Sequence, residues 1–274
     1  MSLALGIVVG LVLGLTGAGG SVFAVPLLMF GLGFSFTQAT PVALLAVCAA
    51  ASFGTVVAWD VTYVRWRAAL LMSGVGAVFA PLGLIAARAL PAEWLLRLFA
   101  GVLVIVALRL IVQAQRRPEE AAVARATVAG DDGAANGPIC RLHPRTGRLI
   151  WTRASASTIA AIGAATGFAS SLLGVGGGFI IVPALRTVSA LSIHSAIATS
   201  LMAIALTSAG SVLVHLAFDA QLPPAAAWPF IGGSLLGMIA GRRIAPRIVG
   251  PRLQQGFALS MLLVAMLVGA RALA

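Results

Sequence analysis

Two stretches decide how this chain is read: Leu15-Thr16-Gly17-Ala18-Gly19-Gly20-Ser21-Val22-Phe23-Ala24-Val25-Pro26 and Leu172-Leu173-Gly174-Val175-Gly176-Gly177-Gly178-Phe179-Ile180-Ile181-Val182-Pro183. They align without a gap, and both lie inside long apolar runs, at 3–32 and 154–185. As one helix, residues 3–32 would extend about 45 Å at 1.5 Å per residue, more than one perpendicular crossing of a ~30 Å hydrocarbon core. Each glycine in the middle of such a run costs about 1 kcal/mol of helix stability relative to alanine. The simplest expectation is two short half-helices joined by an irregular turn, forming a re-entrant hairpin with its tip at mid-membrane.

Working outward, the same register pairs Ala39 with Ala196, Leu44 with Leu201 and Gly76 with Gly233, and one residue more pairs Leu95 with Leu253 and Phe99 with Phe257. Further apolar segments fall at 38–58, 68–88, 94–113, 195–218, 225–241 and 254–273. Between 114 and 153 the chain turns polar, rich in arginine, acid, glycine and proline, and reads as a flexible linker. Three parts are expected: a first transmembrane repeat at 1–113, a polar linker at 114–153 and a second repeat at 154–274. Duplicated membrane units of this kind are a common origin of secondary transporters.

Composition agrees about the solvent. Of 274 residues, 60% are hydrophobic and 9% charged, with a mean hydropathy of +1.06. Soluble domains carry about 25% charged residues. The balance excludes a soluble enzyme, a nucleic-acid binder and a disordered chain, and indicates an all-α multi-pass membrane protein. The two cysteines, Cys48 and Cys140, have no disulfide or metal-ligand spacing. No basic stretch precedes the first apolar segment, so Met1 is expected to open the mature protein.

The net charge of +11 carries topological information, because all eighteen basic residues are arginines lying mostly between apolar runs. If each broken segment enters and leaves on one side, the two halves are inverted. Fifteen arginines then share the linker's side and only Arg88, Arg97 and Arg271 face the other. If each broken segment crosses once, the halves are parallel and the division is eleven to seven. The positive-inside rule favours the inverted arrangement, with a cytoplasmic linker and both termini outside.

The chemistry expected of the breaks follows from dielectric cost. Irregular backbone at membrane depth must be buried in protein or line a cavity. Amides freed at a half-helix N-terminus carry partial positive charge and suit a small oxyanion. Gly17, Ala18, Gly19, Gly20 and Ser21 are the candidates on one side, and Gly174, Gly176, Gly177 and Gly178 on the other. The competing reading is that small residues merely let helices approach closely. Hydroxyls follow each break: Thr37, Thr40, Ser52 and Thr55 in the first half, Thr199, Ser200, Thr207, Ser208 and Ser211 in the second. Singly, such groups usually bond their own helix or a neighbour.

Ionisable groups inform by their absence. The seven acids, Asp60, Glu93, Glu119, Glu120, Asp131, Asp132 and Asp219, fall at segment ends or in the linker, which leaves a carboxylate proton relay without a candidate. His215 is the better of two histidines for a titrating or solute-contacting group, and no arginine is evidently central. No triad, metal constellation or phosphate loop is present, so no cofactor or metal is expected.

The paired glycine motifs, each followed by an apolar run ending in Pro26 or Pro183, resemble the sulfite exporter family of the TauE/SafE type. His194-Ser195-Ala196-Ile197-Ala198-Thr199-Ser200-Leu201 resembles that family's His-x-Ala-x-x-Thr-Ser-Leu pattern, and Gly232–Arg243 its Gly-rich third segment. The first half departs from the pattern, with Val42 and Ala43 at the positions matching Thr199 and Ser200. The resemblance implies a bacterial inner-membrane transporter exporting sulfite or a related organosulfur anion. Its partners would be a small anionic solute and the bilayer, with Thr199 and Ser200 as hydroxyl donors. An ion channel using the hairpins as a filter is the alternative. A membrane-embedded enzyme would have only Cys48 as an obvious nucleophile.

Overall fold

A computed structural model of the chain describes residues 1–17, 20–58, 64–126, 151–188, 193–218, 223–244 and 250–271. These form ten helices and no strand: α1 (Ser2–Thr16), α2 (Ser21–Leu32), α3 (Phe36–Val57), α4 (Trp66–Ala89), α5 (Ala92–Ala126), α6 (Arg153–Leu173), α7 (Gly178–Val188), α8 (Ile193–Ala217), α9 (Pro224–Ile244) and α10 (Gly250–Arg271). The helix boundaries follow local signals. Ser35 caps α3, its Oγ accepting from the Gln38 N–H while the Gln38 side chain accepts from the Ser35 N–H. Thr152 and Ser155 form the same reciprocal pair at the start of α6. Such boxes satisfy amides that a helix start otherwise leaves open.

Among the described residues, five helices are long and apolar enough to cross a membrane: α3, α4, α6, most of α8 (Ser195–Ala217) and α9. α1 and α2 are apolar but shorter. Large apolar side chains such as Val78, Leu213, Trp228 and Met266 are exposed, as a lipid solvent allows. Both glycine stretches break their apolar run, as expected. The arms differ, however: α1 has 15 residues but α6 has 21, enough to span alone. α5 also continues through Ala126, past the apolar run ending at 113. Ala, Arg, Gln and Glu dominate that extension and are strong helix formers, so polarity alone did not end the helix. Residues 127–150 of the expected linker lie outside the described residues.

Glycine rows decide which helices pair. The largest helix contacts are α1 with α9 and α4 with α6, each joining the first half to the second. A Cβ on Gly6, Gly10 or Gly14 would collide with backbone at Phe230, Ser234 or Met238, and one on Gly233, Gly237 or Gly241 with backbone at Leu3, Ile7 or Leu11. Across the other interface, Gly76 faces Gly163 and Gly167, and Gly83 faces Phe168 and Leu172. Only glycine permits this approach, which gains dispersion where lipid removes the hydrophobic drive. Partner numbers rise together in both interfaces, so α1 runs parallel to α9 and α4 parallel to α6.

Candidate functional site

The site is built around two turns. α1 ends at Gly17, whose φ is 74° and whose N–H bonds the Leu13 carbonyl at 2.8 Å. α6 ends at the matching Gly174, with φ 70° and an N–H bond to Ser170 O at 2.9 Å. Both are left-handed caps, which glycine adopts without steric cost. The chain then folds back. Gly20 lies against Leu13 and Val9, and Gly31 against Leu5, so α2 runs antiparallel to α1. Gly177 lies against Thr166, two turns back along α6.

The two turns are not copies. Gly176 and Gly177 are both left-handed, at φ 67° and 68°. Gly20, aligned with Gly177, has φ −61° and is helical. Gly177 is therefore glycine for its backbone angle as well as for space against Thr166, while Gly20 is glycine for space alone. Ser21 is fully buried at the start of α2, and Gly178 opens α7. Ala18 and Gly19 lie outside the described residues.

Each turn is covered by the other half. α3 and α8 cross where Cys48 Sγ meets Ala205 O at 3.6 Å. Gly17 faces Ile197 of α8, and Gly174 faces Thr40 of α3; Thr40 and Ile197 are the same repeat position. Ser200 Oγ donates to Ile197 O at 2.8 Å and reaches Gly17 O at 3.4 Å. Thr199 Oγ1 accepts the Arg65 N–H at 3.0 Å. Of the second half's Thr-Ser pair, Ser200 thus reaches the first turn, while Thr199 holds the start of α4. It is Thr40 of the first half, together with Thr207 and Ser208, that approaches the second. Thr207 Oγ1 donates to its own helix at Ala203 O (2.8 Å) and lies 3.4 Å from Gly176 O. Ser208 Oγ sits 2.6 Å from where a Gly176 Cβ would stand; it is buried and has no hydrogen-bond partner. An unsatisfied buried hydroxyl is costly. Thr40 and Thr55 bond their own i−4 carbonyls, the common fate of helical threonines.

A pocket of about 410 Å³ lies at the end of the bundle where α3 begins and α4 and α8 finish. Its polar lining includes Thr37, Gln38, Thr40, Arg88, Ser171 and His215. Arg88 donates to the Phe218 carbonyl oxygen and stacks 5.2 Å from that residue's ring centre. At the opposite end Arg242 Nη1 donates to Gly54 O at 2.7 Å. Sequence reading singled out neither arginine, because each lies near a helix end and meets its partners only across the halves. Glu93 and Arg97 form an ion pair at 3.7 Å that is exposed and contributes little.

An all-helical bundle with several apolar spans, closed by glycine-lined interfaces around two broken helices, defines a multi-pass membrane protein. Residues 2–268 match the family described as Sulfite exporter TauE/SafE, and the chain belongs to that family of membrane transporters. Two proteins named "Probable membrane transporter protein", from Xylella fastidiosa strains 9a5c and Temecula1, are each 29% identical to it. The alignments cover 87% and 88% of this chain and 82% of each relative. No solved structure matches it. A membrane transporter has the bilayer and a small solute as its partners, and these relatives carry a transporter's name rather than an enzyme's.

Proposed function

We propose that the protein moves sulfite or a related small organosulfur anion across the bacterial inner membrane by alternating access, with two inverted repeats rocking about the α3–α8 crossing. The carrying observation is the Gly174–Gly178 turn, flanked by Thr40 of one half and Thr207 and Ser208 of the other, with the Ser208 hydroxyl buried and unpartnered. A turn of this kind offers backbone amides and hydroxyls to oxyanion oxygens without a buried carboxylate to repel them. In this reading the first turn's contacts come from Gly17, Gly20, Ser21 and Ser200, with the Thr199 hydroxyl as a further donor, and Gly176, Gly177 and Gly178 complete the second.

Helix directions support the inverted relation. α3 follows α9, since Ser234 reaches Ala46 O and Arg242 reaches Gly54 O. α8 opposes α3, with Cys48 at Ala205 and Gly54 at Leu201. α4 follows α8 through Gly76 with Thr207 and Ala77 with Gly210. With α9 parallel to α1 and α6 parallel to α4, α6 opposes α1. An exchange of this kind is the geometry that alternating access uses.

The test is flux of labelled sulfite in proteoliposomes of the purified chain. Saturable sulfite flux, competed by small sulfonates and lost in Gly176→Val, is expected. Flux that never saturates, or single-channel currents, would overturn it in favour of a channel.

A further inference from the structure

The pocket at the ends of α4 and α8 has a property that packing does not require. Two residues of its lining each carry a buried polar atom with no hydrogen-bond partner: Ser171 Oγ, in a residue with no exposed surface, and Nε2 of His215, 7% exposed. The neighbouring Ser170 hydroxyl, by contrast, is held by Ser211 at 2.9 Å. Ser171 and His215 line the cavity together with Arg88. Arg88 spends one donor on Phe218 O, and its ring stacking holds the guanidinium in place. A guanidinium has five N–H donors, so further ones remain for the cavity. Gln38 and Thr37 add polar surface, and no described residue lining the pocket is acidic.

We infer that this pocket is a vestibular binding site for a small oxyanion, with Arg88 supplying the charge and Ser171 and His215 the directional hydrogen bonds. The Ser171 hydroxyl donates to an anionic oxygen. His215 Nε2 donates when the ring is charged and accepts from an O–H when the ring is neutral, so a singly protonated oxyanion satisfies both states. A bare halide has no O–H for the neutral ring and no second oxygen for the serine. The pocket lies at the end of the bundle where α5 begins, whereas the linker follows the other end of α5. It would therefore receive solute on the face remote from the linker. The inference rests on the transport reading only for that last step; binding itself is independent of it.

Calorimetric titration of the full chain in detergent tests it, with sulfite and methanesulfonate as probes and chloride at equal ionic strength as control. Sulfite is expected to bind, methanesulfonate, which has no O–H for the neutral ring, to bind more weakly through Arg88 and Ser171, and chloride to fail. Arg88→Gln should weaken sulfite about ten-fold or more, as loss of a charge-assisted hydrogen bond does. Ser171→Ala should weaken it several-fold with an unchanged melting midpoint, and it stands in if Arg88→Gln does not fold. No sulfite binding to the unaltered chain, or wild-type affinity in both variants, overturns the proposal. So does Arg88-dependent binding of phosphatidylglycerol vesicles without binding of either soluble oxyanion. Saturable flux with unaltered affinity in both variants would remove this site and leave the transport reading intact. Arg88-dependent binding without flux would do the reverse.

Discussion

The Cys48 thiol donates to the carbonyl oxygen of Ala205 at 3.6 Å, and these two residues are the same position of the two repeats, 157 residues apart. An element meets its own repeat equivalent at equivalent residues when the pair lies near the relation that exchanges the halves. In the proposed alternating-access motion the α3–α8 crossing is the pivot, and the glycine turns lie on either side of it.

The thiol at this crossing serves packing and weak hydrogen bonding. Cys48→Ser keeps a donor and is expected to leave sulfite flux within about two-fold of the parent, the scale of a half-kcal/mol change. Flux measured in proteoliposomes checks this; loss of activity, with the melting midpoint preserved, would give the thiol a chemical role.

The glycine rows carry stability. Gly10→Val places atoms into the Ser234 carbonyl across the α1–α9 interface, and overpacking of this kind costs about 1–3 kcal/mol. Gly74→Ala, where a Cβ meets nothing within 4 Å, should be neutral or slightly stabilising. Thermal unfolding of both variants in one detergent distinguishes them, and equal midpoints would refute the packing account.

Strain and collision separate at two left-handed glycines. Gly33 has φ 70° with nothing within 4 Å of a Cβ, so Gly33→Ala bears only the backbone cost, about 1–2 kcal/mol. Gly174 has the same φ, and its Cβ would stand 2.6 Å from Thr40 Cγ2. Gly174→Ala should therefore be the more damaging change, and adding Thr40→Ala should recover part of the difference. Additive melting losses in the double variant would show that Thr40 and Gly174 do not press on one another.

Topology follows from helix direction. With α6 opposing α1, reporters placed in the 127–150 region and after residue 274 should report opposite sides of the membrane, the linker cytoplasmic and the C-terminus outside. A cytoplasmic C-terminus would exclude the inverted arrangement.

Much of the fold is local and was legible. Helix segments follow apolar runs, and the breaks follow glycine clusters that helices tolerate poorly. Gly17 and Gly174 take matching left-handed angles because the motif repeats. What the motif could not convey was why each glycine is there. Gly20 and Gly177 align by sequence, yet one is helical and constrained by Leu13, the other left-handed. Nor could it reveal that Ser200 reaches toward the first half's turn while Thr40 reaches toward the second's.

By itself, then, the sequence determined the solvent, the helices, the duplication and the two breaks, because hydropathy, length and backbone preference act over a few turns of chain. Only the tertiary structure decided that α1 pairs with α9 and α4 with α6, and that Arg88, Ser171 and His215 share one cavity. The physical reason is that lipid and protein interior are equally apolar. Hydropathy cannot tell which face meets a neighbour, and the choice falls to backbone approach between glycines far apart in the chain.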